Sequence, residues 1–132
     1  MGQPIIFSRA MVAAASTGVS ASQSPGAGAI LINGTKATGG VATFDVQRRV
    51  ILHSGSDDTG ITFTVFGTNQ SGTPIQETVT GGNGTDIQTN LDFLTVTKIT
   101  HTGSVAGTLT AGTNGVGSSQ WQILNWNQYP MD

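Results

Sequence analysis

Asp58-Thr59-Gly60 is the stretch whose residue types first suggest chemistry, because the same triplet carries the catalytic carboxylate of aspartic proteases. That chemistry brings two carboxylates together to share a proton, one from each half of a dimer. Here Ser56 and Asp57 precede the triplet where apolar strand residues are needed, and no apolar-apolar-Gly element follows downstream. A polar turn accounts for the same letters. Asp57, Asp58, Asp86 and Asp92 carry oxygens suited to calcium, which takes roughly six to eight such ligands, but no tight Asp-x-Asp-x-Asp loop gathers them. His53 and His101 have no Ser, Asp or Glu at a recognisable triad or metal spacing, and the chain has no cysteine for a disulfide, a thiolate metal site or a thiol nucleophile. The expectation is a chain without catalytic residues, metal or cofactor.

Two other patterns reduce to turn chemistry. Asn33, Asn69 and Asn83 each begin an Asn-x-Thr/Ser glycosylation acceptor, yet Asn-Gly at 33, 83 and 114 reads more directly as a tight turn. The glycine-rich stretches lack a following Lys-Ser or Lys-Thr and a helix, so they form no phosphate cradle.

Binding is the better prospect, and its candidates sit at the two ends. Pro4, Ile5, Ile6 and Phe7 form an apolar patch near the N-terminus, with Arg9 and Met11 just beyond it. Trp121, Trp126 and Tyr129 place both tryptophans and the sole tyrosine within a short C-terminal stretch. Large amphipathic rings are enriched at interface centres. On a strand, Trp121 and Trp126 point to opposite faces, so one can plug a core while the other meets a partner.

The elements that must position these ends are strands. Ile61 to Gly81 holds two alternating segments: Ile61, Phe63 and Val65 share one face, and Ile75 and Val79 resume the period of two after a break at Asn69 to Gly72. This is a hairpin. Further strand signals run at 29–33, 41–46, 48–54, 92–100, 105–111 and 120–126, with breaks at Gly39-Gly40, 54–60, 81–84, 101–103 and 112–117 too frequent for a helical period. The predicted core is Ile30, Ile32, Val41, Phe44, Val46, Val50, Leu52, Ile61, Phe63, Val65, Ile75, Val79, Leu94, Val96, Leu109 and Ile123. Ile51, Phe66, Phe93 and Ile99 fall out of phase, which means either a second apolar surface or a register slip. The fold expected is all-β, a two-sheet antiparallel sandwich with the jelly roll as first topology and an immunoglobulin-like sandwich second. Residues 1–28, rich in small side chains, are expected as an extended N-terminal arm, and residues 29–132 as the body with its aromatic end.

Composition narrows the function classes. Only 9% of the 132 residues are charged, against about 25% in an ordinary soluble domain. Hydroxyls and amides are cheaper to desolvate than unpaired ions, which favours extended contact with another protein. A net charge of −2 and the scatter of Arg9, Lys36, Arg48, Arg49 and Lys98 provide no stripe for nucleic-acid phosphates. No apolar run approaches the roughly 20 residues of a membrane-spanning helix, and the N-terminus lacks the pattern of a secretory signal.

Residues 48–84, RRVILHSGSDDTGITFTVFGTNQSGTPIQETVTGGNG, resemble a segment recurring in small structural proteins of tailed bacteriophages. The shared wording is an Arg-Arg-Val strand, an Asn/Asp-Thr/Ser-Gly turn, a Thr-rich strand, a Gly-Thr-x-x-x-Gly loop and a Glu-Thr-Val strand. Gly117 to Trp121, Gly-Ser-Ser-x-Trp, is similar to the same group. The resemblance implies a virion component similar to jelly-roll cement or decoration proteins on the capsid exterior, with the major capsid protein and further copies of itself, as a dimer or trimer, as partners. A tail or head-to-tail connector protein is the first alternative. A carbohydrate-binding sandwich using Trp121, Trp126 or Tyr129 as a sugar platform is the second.

Overall fold

The computed structural model describes residues 13–118, and among these every regular element is a strand. In chain order they are β1 (Ala15–Gln23), β2 (Gly28–Ala29), β3 (Ala37–Thr38), β4 (Val41–Ser54), β5 (Thr62–Thr68), β6 (Pro74–Thr80), β7 (Asp86–Gln88), β8 (Phe93–His101) and β9 (Leu109–Ser118). All pairings are antiparallel, along the path β1-β9-β4-β8-β5-β6, with β2 on β8 and both β3 and β7 on β4.

The 14-residue β4 organises this path by changing neighbours along its length. Its first half pairs with β3 and β8, and its second half pairs with β7 and β9. Arg48 lies at the changeover, opposite Phe93 on one side and Gly117 on the other, where both registers shift. Residues three apart on a straight strand point to opposite faces, so only this irregularity lets Arg48 reach Asp45. The Arg48 Nε donates to Asp45 Oδ1 at 2.8 Å and a terminal nitrogen donates to Oδ2 at 3.0 Å. Arg48 is 2% exposed, so one of the five scattered cations belongs to the interior.

The predicted hairpin is β5-β6, in register from Thr62↔Thr80 to Thr68↔Pro74. Asn69 shapes its turn: Oδ1 accepts from the Ser71 and Thr73 amides, both at 3.0 Å, and Gly72 takes a φ of 81°. Only a residue without a Cβ enters that region at low cost.

One buried cluster serves the whole path. Of the predicted core, Ile30, Phe44, Val50, Leu52, Phe63, Val65, Val96 and Leu109 are in it, with Ile32, Ile61, Ile75 and Val79 packed against it. Val41, Val46 and Leu94 are only partly covered, and Ile123 lies outside the described residues. Phe93 and Ile99, expected out of phase, are fully buried. For Ile99 the reason is a bulge: β8 shifts against β5 between Phe66↔Lys98 and Gly67↔Val96, leaving Thr97 as an extra residue that resets the inward side after Val96. Phe93 stands at a separate register shift of β8 against β4, between Thr43↔Thr95 and Arg48↔Phe93. Ile51 is 7% exposed on the other side of β4 from Val50 and Leu52.

The expected arm needs correction for part of its length. Ala15–Gln23 is a strand of the sheet, with Val19 and Ser20 fully buried. Its backbone lies close against β9 at Gly112 of that strand, where a Cβ would overlap the Ala15 carbonyl oxygen and stand 2.5 Å from the Ser16 carbonyl carbon. Residues 33–36 flank the strand, through Gly34 N–H to Val19 O at 2.9 Å and Lys36 N–H to Gly18 O at 2.8 Å. Low side-chain volume here marks tight strand packing. Residues 1–12 and the predicted strand at 120–126 lie outside the described residues.

Candidate interaction face

Alternation on β5 sends Phe63 and Val65 to the core and Thr62, Thr64, Phe66 and Thr68 to the opposite face. The flanking strands extend this pattern sideways. Thr64 is level with Thr78 on β6 and Thr100 on β8, Phe66 with Gln76 and Lys98, and Thr68 with Pro74 and Thr95. Thr62 is level with Thr80, and its amide donates to Thr102 Oγ1 at 3.2 Å. Neighbouring strands lie about 4.8 Å apart and same-face residues about 6.6 Å apart along a strand, so the side chains form a shallow grid.

The chemistry of this face is hydroxyl, methyl and amide. Thr64 and Thr78 hydroxyls lie 2.8 Å apart and those of Thr68 and Thr95 2.7 Å apart, cross-strand bonds that stiffen the surface. Lys98 brings the only charge to these rows, its Nζ 5.5 Å from the Phe66 ring centroid. Phe66 is therefore a surface aromatic under a cation, whereas Phe93 and Ile99 belong to the core. Such a face can pack against a flat partner by van der Waals contact and hydrogen bonds without stripping water from carboxylates.

The residues singled out for catalysis or metal binding are placed otherwise. Asp58 is 1% exposed; Oδ2 accepts from the Ser54 hydroxyl and Oδ1 from the Ala106 amide at 2.8 Å. Its amide donates to Gly82 O at 2.9 Å, so one residue fastens the end of β4 to two loops. Asp58→Ala should therefore lower the unfolding free energy by about 2 kcal/mol in urea titration, because the buried Ser54 hydroxyl and the Ala106 amide lose their acceptor. Asp58→Asn retains one acceptor and should lose less. An unchanged midpoint for the alanine variant would show that this cross-link carries no stability.

Asp57 is exposed, and the hydroxyl and amide of Thr59, donating to Oδ1 at 2.7 and 3.1 Å, hold its carboxyl below the ordinary value of 3.8. His53 and Asp86, distant in sequence, meet at 2.6 Å through β4-β7 pairing, a juxtaposition that residue spacing alone does not disclose. His101 is buried beside Phe63; its Nδ1 donates to Gly103 O at 2.6 Å, and Nε2 has no partner among the described residues. Arg49 and Asp92 approach to 3.9 Å at the surface. Among the described residues no group of three or more His, Asp or Glu is arranged to hold a metal, and no helix is long and apolar enough to cross a membrane.

Pro4, Ile5, Ile6, Phe7, Arg9, Met11, Trp121, Trp126 and Tyr129 all lie outside the described residues. The threonine face is a site that end-directed sequence reasoning missed; its signal was the run of Thr at alternate positions in 62–68, 78–80 and 100–102. No protein-family model, curated protein or solved structure matches the chain.

Proposed function

We propose that this chain is a structural protein of a tailed-bacteriophage virion, a capsid cement or decoration protein that binds the outside of the head and ties neighbouring capsid subunits together. The observation that carries this reading is the broad threonine face of β6, β5 and β8, which bears one charge in its rows and is built on strands cross-linked through side-chain hydroxyls. A shell component needs many shallow contacts repeated by symmetry, and avidity across them replaces a single tight site.

Strand order supports the same reading. The pairings group into β1-β9-β4-β7 and β2-β8-β5-β6, the nested order of a jelly-roll sandwich, with the first half of β4 bridging the two sets. In this reading the chain ends leave from the first set, while the threonine face belongs to the second. Pro4 to Met11 and the Trp121, Trp126 and Tyr129 segment then grip one capsid neighbour as the threonine face meets another, which is the arrangement a clamp requires.

Quantitative mass spectrometry and antibody labelling of purified particles test this. A copy number that scales with capsid subunits, together with label over the head, is expected. Label confined to the tail, at a single ring's worth of copies, would replace cement with the connector alternative. On particles, Thr64→Glu should reduce occupancy about tenfold or more, since it puts a carboxylate at the centre of the face. Full occupancy would remove that face from the contact.

A further inference from the structure

We infer that β6 is a joint between two copies of this chain, which pair antiparallel through their β6 edges about a twofold axis at Thr78. Among the described residues the sheet path ends at this strand, whose ladder is entirely with β5. At the two ends of that ladder, Asn69 N–H donates to Thr73 O at 3.0 Å and Gly81 N–H to Ile61 O at 2.8 Å. Odd-numbered residues therefore bond to β5. Alternation then aims the N–H and C=O groups of Gln76, Thr78 and Thr80 away from the sheet.

This edge lacks the devices that ordinarily block strand addition. It has no lysine, its ladder has no register shift from Thr62↔Thr80 to Thr68↔Pro74, and its proline stands at the first position. Its one charged residue is turned elsewhere. The Glu77 carboxylate accepts from the Asn90 and Leu91 amides at 2.8 to 2.9 Å, which commits it to the neighbouring loop.

A second copy of the same strand fits on grounds of charge and register. With Thr78 opposite its image, Gln76 faces Thr80 of the other copy and Glu77 faces Val79, so the two glutamates never oppose each other. The outward groups fall into bonded pairs, Thr78 with Thr78 and Gln76 with Thr80 twice over, and each pair exchanges two backbone bonds. The polar residues Gln76, Thr78 and Thr80 all stay on the threonine face. Pairing thus doubles that face into one continuous sheet surface, β8-β5-β6 followed by its twofold image. One strand pair is a small interface, so the dimer should be concentration-dependent in solution. The joint deepens the proposed virion role and rests on that reading only for where the dimer acts.

The absence of cysteine makes the test clean. In this register Thr78→Cys places two Cα atoms about 5.5 Å apart, inside the disulfide range. Mild oxidation of the full-length variant should give a covalent dimer on a non-reducing gel, with a yield that rises with concentration. Thr97→Cys, on the exposed bulge of β8, should remain monomeric. Sedimentation of the otherwise unmodified chain should show a monomer–dimer equilibrium that Thr78→Lys abolishes without changing its circular dichroism. The inference is overturned if folded Thr78→Cys stays monomeric or if Thr97→Cys cross-links equally. It is also overturned if dimerisation appears only after residues 2–12 are deleted, since the chain's own N-terminal segment would then occupy the edge. A dimer with these properties that is absent from phage heads would sink the virion reading and leave the joint standing.

Discussion

Arg48→Met is expected to cost about 3–5 kcal/mol of unfolding free energy, one of the two largest single-site effects in this molecule. Arg48 is 2% exposed at the changeover of β4, and its guanidinium takes both oxygens of Asp45, itself only 13% exposed. Removing the cation leaves a largely covered carboxylate without its bidentate partner, and the desolvation cost of that charge loses its main compensation. Urea denaturation of Arg48→Met, Asp45→Leu and the double variant forms a double-mutant cycle. The double variant should be clearly more stable than the sum of the single losses predicts, because no charge is then stranded. Additive losses would mean that the pair is not coupled. The pair also pins the irregularity that lets β4 serve β8 along one half and β9 along the other, so a local loss should reach the whole path.

Gly67→Ala is expected to cost about 3 kcal/mol and to open the β5-β8 ladder, whereas Gly26→Ala should be neutral or stabilising by about 0.5 kcal/mol. At Gly67 a Cβ would overlap the Thr95 carbonyl oxygen and stand 2.8 Å from its carbonyl carbon and 3.1 Å from Phe93 Cδ2. Two of these obstacles are backbone and the third is a fully buried ring, so none can swing away. Gly26 has nothing within 4 Å of the same position. Amide exchange should show faster opening across Phe66, Thr68 and Thr95 in the Gly67 variant alone. Equal stability of the two variants would refute the close approach. The bulge at Thr97 lies beside this contact, so the experiment also probes the feature that turns Ile99 inward.

Much of the fold was legible because strand periodicity is local. The alternation Ile61, Phe63, Val65 and the Asn69 to Gly72 break define β5, its turn and β6 by residue type alone, and the structure keeps all three. Phe93, Val96 and Ile99 show the limit. Strict alternation cannot bury residues spaced by three, and what permits it is a pair of irregularities, the bulge at Thr97 against β5 and the register shift between Phe93 and Thr95 against β4, which no window of β8 encodes. The small residues of β1 mislead for a related reason. Ala, Ser and Gly read as too little apolar mass for a core, yet lack of bulk at Gly112 and Gly34 is what lets their backbones lie against that of β1.

The candidate site divides along the same line. By itself the sequence determined that this chain is all-β, sparing in charge, free of cysteine and rich in threonine at alternate positions, because those properties follow from composition and a period of two. Only the tertiary structure decided that Thr62, Thr64, Thr78, Thr80 and Thr100 share one face, that Asp58 is a buried cross-link, and that β6 ends the path with no partner for its outward groups among the described residues. Each depends on which strand lies beside which and in what register. Those are non-local choices, made by the burial of one common core and the geometry of β4.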